Sequence, residues 1–296
     1  MVTINPSEVK VSYLHQLLLA AVAPRPICFA STIDKDGNPN LSPFSFFNVF
    51  SANPPVAIFS PAISGRTGLT KHTLDNIREV PEVVINIVNY DMVEQMSLAS
   101  SEYPKGVNEF LKSGFTMEPS ELIRPYRVKE SPVQFECTIR EVMELGKEGG
   151  AGNLVICDIK KIHIRREVMT GDKIDQKKIK LIARLGGDWY CKAFGDALFE
   201  VAKPLTTIGI GVDSLPEKIR NSKILTGNNL GKLANIECIP SNEEVQEYIK
   251  HGSILELFED FKNNKEKLHE ELHIIARNLL ETEKVNEAWC VLMASI

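Results

Sequence analysis

Residues 25–50, RPICFASTIDKDGNPNLSPFSFFNVF, constrain this chain more than any other stretch. The apolar run at 27–33 reads as a strand, and DKDGN at 34–38 stops it with a tight turn. The run that follows sets Asn40, Ser42, Ser45 and Asn48 between Leu41, Phe44, Phe46 and Phe47. It is too apolar for an ordinary loop and has to be covered by something. Further strand runs lie at 56–60, 83–88, 134–142 and 154–164. GKEGGAG at 146–152 joins the last two as a hairpin with a mobile connection, and LGGD separates short strands at 180–183 and 189–192.

Helical pieces are expected at 68–79, at 91–99 (with Asp91 and Glu94 as a capping box) and at 105–113. No regular βαβ spacing exists, and the strands outnumber their short helices. That favours a mainly β chain, a barrel with helical insertions, over a doubly wound sheet. Beyond residue 203 the character changes. A Gly- and Asn-rich connection precedes a Ser241/Glu244 capping box and a helix to about residue 260. A second helix is expected over 264–289, with Leu268, Leu272, Ile275 and Leu279 as its apolar stripe. The expected division is therefore a barrel domain at 1–205 and a connecting, helical extension at 206–296.

Charge excludes some classes. Lys and Arg total 34 against 39 Asp and Glu, so no basic field exists for nucleic acid or anionic lipid. The acidic excess lies in residues 213–296, with 15 acidic and 10 basic residues, and reads as a solvated helical face. The apolar run at 17–23 has no basic region before it and is far too short for a membrane span. Six dispersed cysteines without a CxxC pair suit a reducing, cytoplasmic setting.

SGRTGLTKHT at 64–73 carries the clearest chemistry. Arg66 offers a two-pronged fork and Lys71 a point charge, while Ser64, Thr67 and Thr73 add hydroxyls. Gly65 and Gly68 let backbone N–H groups close on an anion, and the next helix adds its free N–H groups. Such a loop suits the phosphate of a small cofactor. A plainer account is a solvated loop and helix start. Ser31 and Thr32 end the first strand, and the polar and aromatic residues at 40–48 suit the edge and faces of an isoalloxazine ring. The plainer account there is an aromatic core strand. Together the two segments favour flavin mononucleotide.

His163, alternating with Ile162 and Ile164, is a candidate substrate contact or a surface residue. Arg184, before a Gly-Gly turn, is a candidate for a phosphate or nicotinamide donor. Trp189 and Tyr190 read as packing. HEELH at 269–273 matches HExxH in letters, but a zinc site would need a third ligand and an active cleft, and this highly charged helix reads as a solvated face. No catalytic nucleophile or metal site is expected.

These segments resemble the flavin reductase-like family of FMN-binding split-barrel proteins. The family includes flavoredoxin and the reductase components of two-component monooxygenases. The resemblance rests on RPI (25–27), STID-KDG (31–37), NLSPFSFFN (40–48), SGRTGLTKHT (64–73), VINIV (84–88) and RLGGDWY (184–190). It implies a split barrel, a homodimer and FMN near the dimer interface. It implies flavin contacts from Ser31, Thr32, Asn48 and the backbone of Ser45, Phe46 and Phe47, and a phosphate site of Ser64, Arg66, Lys71 and Thr73. His72 stands where members commonly have Asp. The implied activity is NADH- or NADPH-dependent flavin reduction, with reduced flavin passed to an oxygenase or another acceptor. A flavoredoxin-like electron carrier fed by a protein partner and a non-enzymatic FMN-binding protein are the alternatives.

Overall fold

The structure, a computed structural model, describes residues 1–201, 203–250 and 254–294. It divides into two compact units, Met1–Phe199 and Glu200–Ile296. Among the described residues no helix is long and apolar enough to cross a membrane.

In the first unit a helix, α1 (Val11–Ala21), precedes four strands: β1 (Cys28–Ile33), β2 (Pro39–Phe44), β3 (Phe47–Ala52) and β4 (Pro55–Phe59). Then come α2 (His72–Glu79), β5 (Glu82–Ile87), α3 (Val93–Leu98) and α4 (Glu109–Ser113). The short pair β6 (Met117–Glu118) and β7 (Arg127–Val128) leads to the long strands β8 (Val133–Glu144) and β9 (Asn153–Ile164). Two small hairpins finish the unit: β10 (Met169–Thr170) with β11 (Lys173–Ile174), and β12 (Leu181–Arg184) with β13 (Tyr190–Ala193).

Seven strands make one antiparallel sheet in the order β2-β1-β5-β8-β9-β4-β3. Its two edges, β2 and β3, are separated in the chain by only Ser45 and Phe46. A link that short spans about 10 Å from Phe44 to Phe47. The edges therefore meet at that corner, and the sheet curls. No ladder joins β2 to β3 among the described residues. The expected split barrel is represented by a curled sheet that no ladder closes among the described residues, and the helices around it make the architecture mixed α/β rather than mainly β. Bulges in the β8–β9 ladder near Glu136 and Arg140 help bend it.

The inside of the curl is apolar. Cys28, Ala30, Phe44, Ala57, Phe59, Val83, Ile85, Cys137, Val155 and Cys157 fill it, and Leu74 and Ile77 of α2 plug one end. The outer face of β1 and β2, with Phe29 and Leu41, packs on Met92, Met96 and Phe110 from the helical insertions. The Asp91/Glu94 capping box does not form: α3 starts later, at Val93, with Met92 in the N-cap position and no side-chain cap.

The second unit is helical: α5 (Glu217–Arg220), α6 (Gly227–Ala234), α7 (Asn242–Lys250), α8 (Ile254–Asp260), α9 (Lys265–Glu281) and α10 (Val285–Met293). The Ser241/Glu244 capping box is present, with Ser241 N donating to Glu244 Oε2 at 2.7 Å. The expected long helix over 264–289 is two. Glu283 takes a left-handed conformation (φ 60), and Lys284 N reaches back to Leu279 O at 2.9 Å. That closes α9 with a Schellman-type cap. Leu272, Ala276, Leu280 and Trp289 form the centre of this unit's core.

Candidate functional site

The loop between β4 and α2 folds back on itself. Gly68 N donates to Ser64 O at 2.8 Å, and Ser64 N donates to Leu69 O at 2.9 Å. Thr67 N donates to Ser64 Oγ at 3.2 Å, and Leu69 N to Thr67 Oγ1 at 3.3 Å. Gly68 sits at φ +69, which a side chain would disfavour. These turns hold residues 64–71 out of the helix, so α2 begins at His72 rather than at Gly68. Its first turn has no side-chain cap, which leaves N–H donors facing outward.

That loop makes one wall of a cleft of about 200 Å³. Ser64, Thr67, Lys71 and Thr73 line it, with Asn40 and Ser42 of β2 at the base and Ser100, Glu102 and Glu109 opposite. Arg66 pairs with Glu102, and Lys71 Nζ lies 3.8 Å from the same carboxylate. The loop's two cations thus already hold an anion.

The edge of β2 shapes the base. Leu41 N–H points away from β1 and donates to Glu109 Oε2 at 3.0 Å. Alternation puts Pro39 and Pro43 on the same side, and neither has an N–H. The outer edge therefore presents mainly carbonyl oxygens. Glu109 is buried, and burial pushes its carboxyl above the usual carboxylate range, against the pull of the Leu41 N–H.

A second cleft, about 300 Å³, continues along β2 past Pro43 and Ser45 to Arg184 and Tyr190. Ser100 lines both clefts, so they adjoin. Arg184 lies over the Tyr190 ring at 4.5 Å. Buried Arg25 fixes this end: its guanidinium donates to Leu19 O, Val22 O, Leu185 O and Ser45 Oγ. Burial, then the nearby Arg184, lowers its pKa from the ordinary value.

The structure gathers some of the residues singled out in the sequence and disperses others. Ser64, Lys71 and Thr73 share the first cleft, Arg66 reaches its rim through Glu102, and Ser45 and Arg184 share the second. Thr32 is fully enclosed. Its Oγ1 accepts from Asn40 and Asn76, and Asn40 also donates to Thr73 Oγ1 at 2.9 Å. This polar ladder ties β1 and β2 to α2. Ser31 points to the other face of β1, and its buried Oγ has no partner. Phe47 turns into the inside of the curl, Phe46 meets His15 of α1 edge-on, and Asn48 is exposed with Oδ1 on Val49 N.

His163 lies elsewhere, in a third cleft of about 320 Å³ with Arg127, Gln134 and Arg165. Its Nε2 donates to Glu136 Oε1 at 2.7 Å. Burial alone would raise the pKa of Glu136. The N–H groups of Glu121 and Leu122 (2.8 and 2.7 Å), together with His163, outweigh it and hold the carboxyl below its ordinary value. The structure does not bring His163 and Arg184 into one cleft. Glu102, Glu109 and Glu136 were not singled out in the sequence. Only Glu136 left a signal there, as a carboxylate inside the apolar strand run at 133–139.

His269 and His273 also depart from expectation. They do not form a solvated face: His273 is 1% exposed and packs its ring 4.1 Å from that of His269. The packing of Ser222 against α9 covers it, with Ser222 Oγ 2.7 Å from His273 Nδ1.

Comparison with known proteins fits this arrangement. An uncharacterised protein of Aquifex aeolicus is 36% identical over 190 residues, which is 64% of this chain and 94% of the relative. The crystal structure of nitrilotriacetate monooxygenase component B from Bacillus cereus superposes with TM-score 0.64 at 30% identity, covering 68% of this chain and 98% of that one. A 2-nitrobenzoate 2-nitroreductase from Pseudomonas fluorescens, at 24% identity and TM-score 0.62, covers 71% of this chain and all of its own, and shows the fold alone. The sequence model of the flavin reductase like domain matches residues 20–175, which include both β2 clefts except Arg184, Asp188 and Tyr190. The chain belongs to the flavin reductase-like family.

Proposed function

We propose that this protein is an FMN-dependent oxidoreductase that takes hydride from NADH or NADPH and gives it to flavin. One observation carries the reading. The loop at 64–73 and the open edge of β2 converge on adjoining clefts, and the loop already pairs Arg66 and Lys71 with a carboxylate. This donor set fits FMN. Lys71, Arg66, the hydroxyls of Ser64 and Thr67 and the start of α2 would hold its phosphate, while Thr73, itself fully enclosed, is bonded to Asn40 and steadies the start of α2. The carbonyl edge of β2 and the Ser45 hydroxyl would bond its polar ring edge. Arg184 and Tyr190 close the far end, where a nicotinamide donor would enter.

Bound flavin supplies the two-electron chemistry, and the protein orients it and its partner. No side chain has to act as nucleophile. Thr32, Asn40 and Asn76 lock α2 to the sheet and so fix the loop. Arg25 keeps Ser45 in place through its 3.3 Å bond.

We place the working unit as a homodimer in a reducing, cytoplasmic setting. Val49 and Phe50 of the edge strand β3 are exposed beside Phe46, as a surface for a second copy. All six thiols are unpaired. An oxygenase or an electron-transfer protein would receive the electrons.

The test is anaerobic mixing of the FMN-loaded protein with NADH and with NADPH, following loss of the flavin's visible absorption. Rapid bleaching by either donor supports the reading. Bleaching by dithionite alone makes the protein an electron carrier, and failure to bind any flavin removes the common premise.

A further inference from the structure

Glu102 stands where an anionic ligand of this loop would stand. It follows α3, in a turn closed by Ser100 N to Ser97 O (3.0 Å), Ser101 N to Leu98 O (3.2 Å) and Tyr103 N to Ser101 O (2.8 Å). The turn is thus anchored by its own backbone, while the Glu102 side chain leans across the cleft. Its carboxylate pairs with Arg66 and lies 3.8 Å from Lys71 Nζ. Among the described residues it is the carboxylate that these two cations share.

Such a pair adds little to stability. The side chains of Arg66 and Glu102 are 75% and 50% exposed, and water screens them. The contact bears instead on what else can bind. A phosphate entering between Arg66 and Lys71 meets a like charge already there. Either Glu102 swings into solvent and the ion pairs are lost, or it stays and repels the newcomer. Both routes weaken phosphate binding, and neither touches a ligand without phosphate.

Resting on the flavin reading above, we propose that Glu102 is a built-in competitor for the flavin phosphate, which lowers the affinity for FMN relative to unphosphorylated flavin and keeps the cofactor exchangeable. A reductase that releases reduced flavin gains from such a device, whereas a carrier that retains it does not.

The test is titration of the full chain and its Glu102→Gln and Glu102→Ala variants with FMN and with riboflavin, followed by flavin fluorescence. Release is timed by dilution. Both variants should bind FMN about fivefold more tightly and release it correspondingly more slowly. Riboflavin affinity should not change, which also reports intact folding. The FMN difference should shrink at high salt. Unchanged or weaker FMN binding in both variants overturns the proposal, because Glu102 would then only orient the two cations. Equal tightening for both flavins overturns it too. A parent protein that binds neither flavin instead removes the flavin reading, and this inference with it.

Discussion

The loop at 64–73 and the buried face of α9 are built from the same kind of residue and do opposite things. Each brings nitrogen bases or cations together: Arg66 and Lys71 in the first unit, His269 and His273 in the second. In the loop the charges face water and share Glu102. On α9 the groups are packed away. Ser222 Oγ already accepts from Ile224 N and Leu225 N at 3.1 Å each, so its own proton goes to His273 Nδ1. The other proton of a neutral His273 then sits on Nε2, which has no partner. Burial, helped by His269, pushes the His273 pKa down to about 4, and burial followed by Lys218 lowers that of His269. An exposed cation is available to a ligand, whereas a buried imidazole is neutral and belongs to the core.

The largest expected effect tests that neutrality. The folded pKa of His273 lies below its ordinary 6.5, so the unfolded chain takes up the proton first as pH falls. The stability this group contributes is fully present above pH 6.5 and is lost as pH falls to about 4. The loss is at most about 3 kcal/mol, and less where solvent screens the ring. Urea unfolding followed through Trp289, with Trp189→Phe to silence the other tryptophan, reads the second unit. His273→Asn should flatten the pH dependence between those limits. The same slope in both proteins would break the contrast by showing that other groups carry the acid sensitivity.

Next comes the exposed side of the comparison. Lys71→Ala should weaken FMN binding by about tenfold to a hundredfold, the worth of a charge-assisted bond, and leave riboflavin binding nearly unchanged. Equal losses for the two flavins would move Lys71 from the phosphate to the ring.

The contrast also explains what could be read from sequence. The loop was legible because its parts are contiguous: two glycines, two cations and several hydroxyls within residues 64–73. The strands announced themselves through their apolar runs, and the Ser241 cap through the residue three positions on. Glu102 and Glu109 were not legible as cleft walls, because only the packing of α3 and α4 beside β2 brings them there. The run at 45–48 looked like one cradle, yet the reversal from β2 to β3 sends Phe47 inward and Asn48 out to solvent. The break in the last helix falls at a left-handed Glu283, where a glycine would have given a signal. His273 looked solvated because its cover, Ser222, lies 51 residues away in the chain.

The smallest expected effect concerns how the loop stays in shape. The Gly-rich connection at 146–152, expected to be mobile, is pinned: Gly150 N donates to Ile63 O at 2.9 Å, and Ile63 N to Ala151 O at 2.8 Å. A Cβ on Gly149 would lie 3.1 Å from Gly65 Cα and 3.2 Å from Ser64 O. Both neighbours are backbone of the anion loop and can yield only by moving it. Gly149→Ala should therefore cost about 1 kcal/mol of stability and weaken FMN binding by about threefold to fivefold. Gly146→Ala is the control, since its Cβ would meet only Ala151 Cβ, at 3.2 Å within the same hairpin. If both variants weaken FMN equally, the hairpin acts through its own fold. If Gly149→Ala alone does so, the hairpin buttresses the loop, and the exposed cations owe their placement to a turn that carries no charge-bearing contact with them.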